Sequence, residues 1–365
     1  MTIHLYFARK FIWIFLGLLT VFFVLMALVD LMEQLRRFDV EEVGFAAVVF
    51  LTLLRTPEGL YQLLPLIIIL STVALFITLA RTSELVVVRA AGRSAILSLL
   101  SPVIVALLIG IFAVTTLNPV VAATTVRYDE LSDEMRAGGR SALSLSSEGL
   151  WLRQGGEQGQ AVIHAVQTNQ DATIFQNVTI VVYAKDGGPI TRIEAESARL
   201  VEGAWELTNA KAWPLVHGVN AETNAVSHDI LRLSSTLTPD RIRDRFGTPA
   251  AISIWKLPEF IEELKEAGFS ARRHIVWFNM EMAQPVFLMA MVLIASAFTM
   301  RHTRFGNTGV AVLASVLIGF ALYFIRNFAQ ILGENGQIPV ELAAWAPPVA
   351  SVMLALGLLL HMEDG

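Results

Sequence analysis

Six long apolar runs, each almost free of charged residues, constrain the fold of this chain more than any other feature. They occupy residues 11–29, 59–80, 94–116, 275–300, 305–325 and 342–360. A helix crosses a bilayer with about 20 such residues, so each run predicts a membrane-spanning helix. The 365 residues are 55% hydrophobic and only 16% charged, which excludes an ordinary soluble protein of this length.

The first run begins directly after Arg9-Lys10, as the apolar core of a signal peptide would. Its uncharged part is about 19 residues long, which is too long for a signal peptide and suits a span. No cleavage site of small residues follows it before Asp30. We therefore predict a retained helix, preceded by a short amphipathic foot over residues 1–10.

Helix-breaking residues set several other predicted ends. The apolar run 43–54 is too short to span a bilayer and predicts an interfacial helix that ends at Arg55 and Pro57. Pro65 predicts a kink in the second span. Asn118-Pro119 predicts the exit of the third.

Between the third and fourth runs lie roughly 150 polar residues, about the size of one domain. Strand-like runs over 149–153, 161–165, 179–184, 190–200 and 204–207 are separated by turn signals such as Asp186-Gly187-Gly188. This spacing predicts a β-sandwich, a jelly roll or an open barrel. The expected fold is therefore an α-helical membrane protein with an inserted all-β domain. Residues 1–117 hold membrane helices 1–3, residues 118–270 the β-domain and residues 271–365 membrane helices 4–6.

The sequence lacks the motifs that several classes of function require. The chain has no cysteine, no Walker A loop, no His-Glu-x-x-His and no Gly-x-Ser-x-Gly pattern, and its seven histidines are dispersed. We expect no catalytic residue, no metal site and no cofactor bound by this chain. The net charge of −5 and the scattered basic residues disfavour nucleic acid as a partner. Glu281, the one acid well inside a run, is interpreted as an interface-level residue.

A short charged segment, residues 81–93, stands between the second and third runs. Thr82 or Ser83 can cap a helix there and Gly92 can end it, so we predict a helix over residues 82–92. At 100° per residue its small apolar side chains share one face, while Arg81 and Arg89 lie on the other. Either the segment is a solvated connector whose arginines meet lipid headgroups, or its apolar face docks on a partner. The residues alone leave both interpretations open.

Arg36 and Arg37 follow the first run. Either they snorkel from a helix end, or they form a cationic site for anionic headgroups or phosphates. Arg326 joins that site if the first and fifth spans are neighbours. Basic residues are nearly balanced between the two sides of the spans, so cytoplasmic termini are favoured only by Arg9-Lys10 and by the long polar domain, which translocates whatever its charge.

Three short runs carry a resemblance to a known family. Residues 81–92 read Arg-Thr-Ser-Glu-Leu-Val-Val-Val-Arg-Ala-Ala-Gly, residues 32–37 read Met-Glu-Gln-Leu-Arg-Arg, and residues 148–151 read Glu-Gly-Leu-Trp. With the three-plus-three layout, which covers essentially the whole chain, they resemble the lipopolysaccharide-export permeases of the LptF/LptG family. The Ser-Glu-Leu-Val-Val and Gly-Leu-Trp motifs are more similar to the LptG branch than to the LptF branch.

The resemblance implies a non-catalytic permease subunit of an ABC-type exporter, which extracts lipopolysaccharide from the inner membrane. The helix over residues 82–92 is then a coupling helix that docks on a cytoplasmic ABC ATPase dimer of the LptB type, and ATP and Mg²⁺ are bound by that partner. The implied coupling residues are Ser83, Glu84, Leu85, Val88, Arg89 and Gly92.

The resemblance also implies an LptF-like paralogous subunit and periplasmic bridge proteins of the LptC/LptA type, which receive the lipid. The β-domain is then a periplasmic jelly roll, and both termini are cytoplasmic. Gln34, Arg36 and Arg37 are the implied lipid-binding residues. Asp30 departs from the family pattern, in which a basic residue can stand near this position, so the resemblance does not predict the charge of the lipid cavity.

Two other functions are compatible with parts of the pattern. A mechanical transmitter could drive a periplasmic partner without passing lipid through itself, and lipid crosslinks between the spans discriminate it from a permease. A membrane enzyme acting on lipid headgroups lacks the expected acid/base and metal constellations.

Overall fold

The computed structural model describes residues 2–38, 44–84, 95–135, 143–146, 149–156, 159–168, 173–184, 188–201, 203–215, 220–235, 248–266, 270–300 and 308–363. The chain divides into two compact units. The helical unit comprises residues 1–135, 253–255 and 272–365, and the sheet unit comprises residues 136–252 and 256–271.

The helical unit holds the long apolar helices. Before the sheet unit they are α1 (Thr2–Arg37), α2 (Phe45–Gln62), α3 (Leu64–Arg81), α4 (Ala95–Phe112) and α5 (Asn118–Met135), with a π-turn (Ala113–Leu117) between α4 and α5. The sheet unit carries α6 (Leu257–Glu266), and the helical unit continues with α7 (Arg272–Thr299), α8 (Thr308–Glu334) and α9 (Val340–Glu363).

Within the described residues, six helical stretches are long and apolar enough to cross a membrane. They are Ile3–Arg37, Leu64–Arg81, Leu99–Ser132, Arg272–Thr299, Gly309–Glu334 and Val340–His361. This confirms the six predicted spans. Helix α7 is the most buried of them and packs against α3, α4, α8 and α9, whereas α1 and α8 leave most of their apolar surface exposed.

Helix α1 is one continuous helix of 36 residues, so the prediction of a separate amphipathic foot is wrong. Phe7, Phe11 and Phe15 recur every four residues and are all buried in the core of the helical unit. Side chains at this spacing share one face of a helix. The first ten residues therefore continue the buried face of the span.

Helix α2 passes through Arg55 and Pro57, contrary to the prediction that it ends there. The charge of Arg55 has partners on other helices, since it lies 3.8 Å from Asp30 and donates to the Tyr128 hydroxyl. The break comes instead at Leu63. Pro65, the predicted kink, occupies the first turn of α3, where a missing N–H leaves no helical bond unmade.

The third span also continues beyond its predicted exit. The helix runs through the π-turn and α5 to Met135, so Asn118-Pro119 lies inside a helix and the predicted division after residue 117 falls within it. A proline in a helix interior removes one backbone hydrogen bond, and a π-turn is a common place for such an irregularity. At Pro119, the Thr115 carbonyl accepts a hydrogen bond from the Trp255 side chain at 3.1 Å.

The sheet unit contains seven described strands. They are β1 (Leu143–Ser146), β2 (Gly149–Gly156), β3 (Gly159–Thr168), β4 (Ile174–Tyr183), β5 (Pro189–Val201), β6 (Ala204–Pro214) and β7 (Val226–Ser234). Every strand pairs antiparallel with the next in the chain, in the order β1 to β7. The predicted all-β domain and the strand-like runs within it are confirmed. The described strands form a meander, so the Greek-key crossovers of a jelly roll are not found among them.

The meander curls around an apolar interior. Phe175 and Trp205 are fully buried, with ring centroids 4.7 Å apart. The Gln154 side-chain oxygen of β2 accepts hydrogen bonds from the Trp205 indole at 3.3 Å and from the Ser235 hydroxyl at 2.8 Å. These bonds join the second strand to the last two and complete the interior of the curl.

Gly110 permits the close approach of α4 to α7. A Cβ at this position would lie 2.5 Å from the Pro285 Cα, which cannot swing aside. We expect Gly110→Ala to lower the free energy of unfolding by about 1–3 kcal/mol, measured by thermal unfolding in detergent. Gly357→Ala in α9 is the matched control, since nothing lies within 4 Å of its Cβ position, and alanine favours a helix. Equal stabilities of the two variants would contradict the packing argument.

Candidate functional site

Glu84 lies just after the second membrane helix, α3. Ser83 precedes it in the left-handed region, with φ of 57°, and ends the helical path of α3. The Lys10 ammonium of α1 lies 3.1 Å from Glu84 Oε1, and the Thr82 hydroxyl donates to the same oxygen at 2.8 Å. The remaining predicted coupling residues, Leu85, Val88, Arg89 and Gly92, lie outside the described residues. The start of the predicted coupling segment therefore contacts α1 through Lys10.

The Glu84 carboxylate is stabilised in its charged form. Burial raises the pKa of this carboxyl, but hydrogen bonds from Thr82 and Lys10 outweigh it, and the pKa lies below its ordinary value of 4.5. Because the folded-state pKa is lowered, the contact contributes its full stability above pH 4.5 and loses it as the pH falls through the lowered pKa. At neutral pH Glu84 is an anion paired with a cation.

The three predicted lipid-binding residues at the end of α1 separate into two kinds. Arg36 and Arg37 are exposed, and Arg37 pairs with Glu33 on its own helix. Gln34 is 0% exposed, and its amide donates to the Tyr128 hydroxyl at 3.0 Å. In this arrangement the two arginines are accessible to an anionic headgroup, whereas Gln34 contacts protein.

Gln34 belongs to a polar cluster that joins α1, α2 and α5. The Tyr128 hydroxyl of α5 also accepts a hydrogen bond from Arg55 at 3.1 Å, and the Arg55 guanidinium lies 3.8 Å from Asp30. Asp30 is thus the partner of a cation on α2. Intramembrane acids and bases are expected to pair in this way.

A second polar cluster lies in the core of the helical unit around Glu281. This side chain is 3% exposed and therefore lies inside the protein, while its interpretation as an interface-level residue, which concerns its depth in the membrane, stays a prediction. Its Oε2 accepts hydrogen bonds from the Tyr61 hydroxyl and, at 3.3 Å, from the Asn118 amide. Packing brings together residues of three helices, namely Tyr61 of α2, Asn118 of α5 and Glu281 of α7. In the sequence, this cluster is indicated only by the presence of polar residues beside or within apolar runs.

Arg326 of α8 belongs to the same region. It is 9% exposed, its guanidinium lies 5.0 Å from the Phe287 ring centroid, and it acts electrostatically on Glu281. Helix α8 packs against α3, α7 and α9, and α1 packs against α2, α3 and α4. The first and fifth spans are thus not among the main packing partners of one another in the described part of the chain, so the condition for Arg326 to join Arg36 and Arg37 is not met.

An apolar cavity of about 460 Å³ opens between α1, α2 and the third span. Among the described residues that line it, Tyr61 alone has a polar side chain, and its hydroxyl bonds to Glu281. The walls include Phe15 and Leu19 of α1 and Leu108 and Phe112 of α4. A cavity of this size and character accommodates an alkyl chain and offers nothing to a polar ligand.

Comparison with known proteins identifies the family. The family model described as lipopolysaccharide export system permease LptF/LptG matches residues 5–361. The chain belongs to the LptF/LptG family. The lipopolysaccharide export system permease protein LptG of Haemophilus influenzae is 24% identical over 355 residues, which cover 93% of this chain and 93% of that protein. LptG of Escherichia coli K12 is 28% identical over 127 residues, 35% of each chain.

Membership of the LptF/LptG family fixes the general role of the chain. The family consists of lipopolysaccharide export permease subunits, which are not themselves enzymes. With its six apolar helices, this member is a multi-pass inner-membrane protein. The similarity to two LptG proteins confirms the predicted likeness to the LptG branch.

Proposed function

We propose that this chain is the transmembrane subunit of an ABC-type exporter, which extracts lipopolysaccharide from the inner membrane and passes it to a periplasmic bridge. The match of the LptF/LptG family over residues 5–361 carries the proposal. The chain works with an LptB-like ATPase dimer, an LptF-like paralogue and LptC/LptA-like bridge proteins. Both termini are cytoplasmic, and the sheet unit is periplasmic.

In this proposal, ATP hydrolysis by the partner drives the chain through the segment that begins at Ser83 and Glu84. Glu84 is ion-paired with Lys10, so a partner that engages this carboxylate also acts on the first turns of α1. Helix α1 is long, mostly exposed and forms one wall of the apolar cavity. An ATPase that docks at Glu84 would therefore act on α1, the helix that borders the apolar cavity.

Arg36 and Arg37 supply the cationic end of this proposed path. They lie at the end of α1 opposite to Lys10, and both are exposed. Arginine binds phosphate through paired hydrogen bonds, and the phosphates of lipopolysaccharide are such ligands. An apolar cavity and a cationic helix end on the same helix match a lipid with acyl chains and phosphates.

Charge reversal at Arg36 and Arg37 tests the lipid contact. Each basic residue near an anionic headgroup contributes about 1 kcal/mol, so Arg36→Glu with Arg37→Glu should lower lipopolysaccharide crosslinking at the end of α1 at least tenfold. Arg127→Glu is the matched control, because Arg127 is also a half-exposed arginine paired within its helix, to Glu130. An equal loss in the control would indicate a general charge effect. No loss in the double variant would remove these residues as lipid contacts.

A further inference from the structure

The third span contains a gap in its backbone hydrogen bonding. In an α-helix the N–H of residue 119 would bond the carbonyl of Thr115, but Pro119 has no N–H. The π-turn lies directly before it, and the Asn118 N–H bonds the Ala113 carbonyl, five residues back. The Thr115 carbonyl accepts a hydrogen bond from the Trp255 indole at 3.1 Å. A side chain from a distant part of the chain thus occupies the place of the missing donor.

The residue before Pro119 is held from the same direction. The backbone N–H of Ile254 donates to Asn118 Oδ1 at 2.9 Å, and the Asn118 amide nitrogen donates to Glu281 at 3.3 Å. An amide side chain is able to accept and donate at once, which links the two contacts in series. Asn118, Ile254 and Glu281 are all buried. The C-terminal end of the π-turn is therefore fixed between residue 254 and α7.

Residues Ser253–Trp255 belong to a different compact unit from the residues on either side of them in sequence. They belong to the helical unit, whereas residues 248–252 and 256–266 on either side belong to the sheet unit. Trp255 is 67% exposed, so burial of its ring accounts for little of this placement. The polar N–H of the indole makes the contact with the third span.

We propose that Ser253–Trp255 are a latch that holds the π-turn in its register, with Trp255 replacing the donor that Pro119 lacks. Relaxation of a π-turn to the α register shifts the following helix by one residue, a rotation of about 100°. Helix α5 follows the turn and carries Tyr128, the hub of the cluster with Gln34 and Arg55. Trp255 and Asn118 are thus positioning residues for α5, and this role does not depend on the cargo.

Hydrogen exchange of the intact protein tests the latch. Trp255→Phe removes the indole N–H and keeps an aromatic ring at a mostly exposed position. We expect at least tenfold faster exchange of the amides in residues 113–122, with α7 unchanged. Trp213→Phe is the matched control, since it removes an indole donor to Glu222 in the sheet unit and should leave residues 113–122 unchanged. Wild-type exchange rates in Trp255→Phe would overturn the proposal.

A second variant isolates the replacement of the missing donor. Pro119→Ala restores a backbone N–H that can bond Thr115, so adding Trp255→Phe to it should accelerate exchange less than twofold. The same large acceleration in both backgrounds would show that Trp255 acts in another way and would overturn the latch. Neither measurement requires lipid export, so failure of the latch and failure of the proposed function are distinguishable.

Discussion

Glu281→Leu should lower the free energy of unfolding by about 3–5 kcal/mol, because it leaves a buried charge without compensation. Arg326 is nine-tenths buried, its Nε has no hydrogen-bond partner, and the Glu281 carboxylate is the anion that acts on it. The substitution also removes the acceptor of Tyr61 and Asn118. Reversible unfolding in detergent or bicelles measures the effect.

A double variant separates the buried charge from simple packing. Glu281→Leu combined with Arg326→Met removes both charges and should recover at least half of the loss, since apolar replacement of a buried pair is often neutral. Glu262→Leu, at an exposed residue paired with Lys265 in α6, should change stability by less than about 1 kcal/mol. Additive losses in the double variant would contradict the pairing of Glu281 with Arg326.

Glu84→Arg should separate the chain from the ATPase that we propose as its partner. Loss of a hydrogen-bonded interface charge costs about 2 kcal/mol or more, so co-purified ATPase should fall roughly thirtyfold, and lipid export with it. The physical reason is the reversal of the Glu84 charge at the start of the predicted coupling segment, where this carboxylate lies beside Lys10. Quantitative co-purification and a lipid export assay measure the two effects.

Lys10→Gln is the control that separates two roles of Glu84. It breaks the ion pair with α1 but leaves the Glu84 carboxylate available to a partner. The proposed docking role predicts that Lys10→Gln retains the ATPase, with a smaller loss of export. Equal loss of ATPase in the two variants would show that Glu84 serves the local fold through its contact with Lys10. Retention of ATPase by Glu84→Arg would show that Glu84 is not part of the docking contact.

The spans and the strands were predictable because each follows from a local pattern. Runs of about 20 apolar residues bury a whole helix surface in lipid, and alternating runs between glycine turns form hairpins. The runs on either side of Asp186-Gly187-Gly188 do form the antiparallel pair β4 and β5, although Asp186 and Gly187 themselves lie outside the described residues. The family resemblance predicted membership of the LptF/LptG family from three short runs.

The helix ends were not predictable because their causes lie far away in sequence. Pro57 and Pro119 are ordinary breakers, yet the helices continue past both. Trp255, the residue proposed to compensate Pro119, bonds the Thr115 carbonyl across 140 residues of chain. In the same way, Glu281 meets Tyr61 across 220 residues. Local patterns predict that a buried acid needs a partner, but packing decides which partner it has.

The proposed function is tested most directly by ATP-driven release of lipopolysaccharide from proteoliposomes that contain this chain with the proposed ATPase, paralogue and bridge proteins. Lipopolysaccharide should reach a soluble bridge protein only when ATP is present, and Glu84→Arg should reduce this transfer to the level without ATP. ATP hydrolysis at the full rate with no lipopolysaccharide leaving the membrane would contradict the proposed function and would favour a mechanical transmitter.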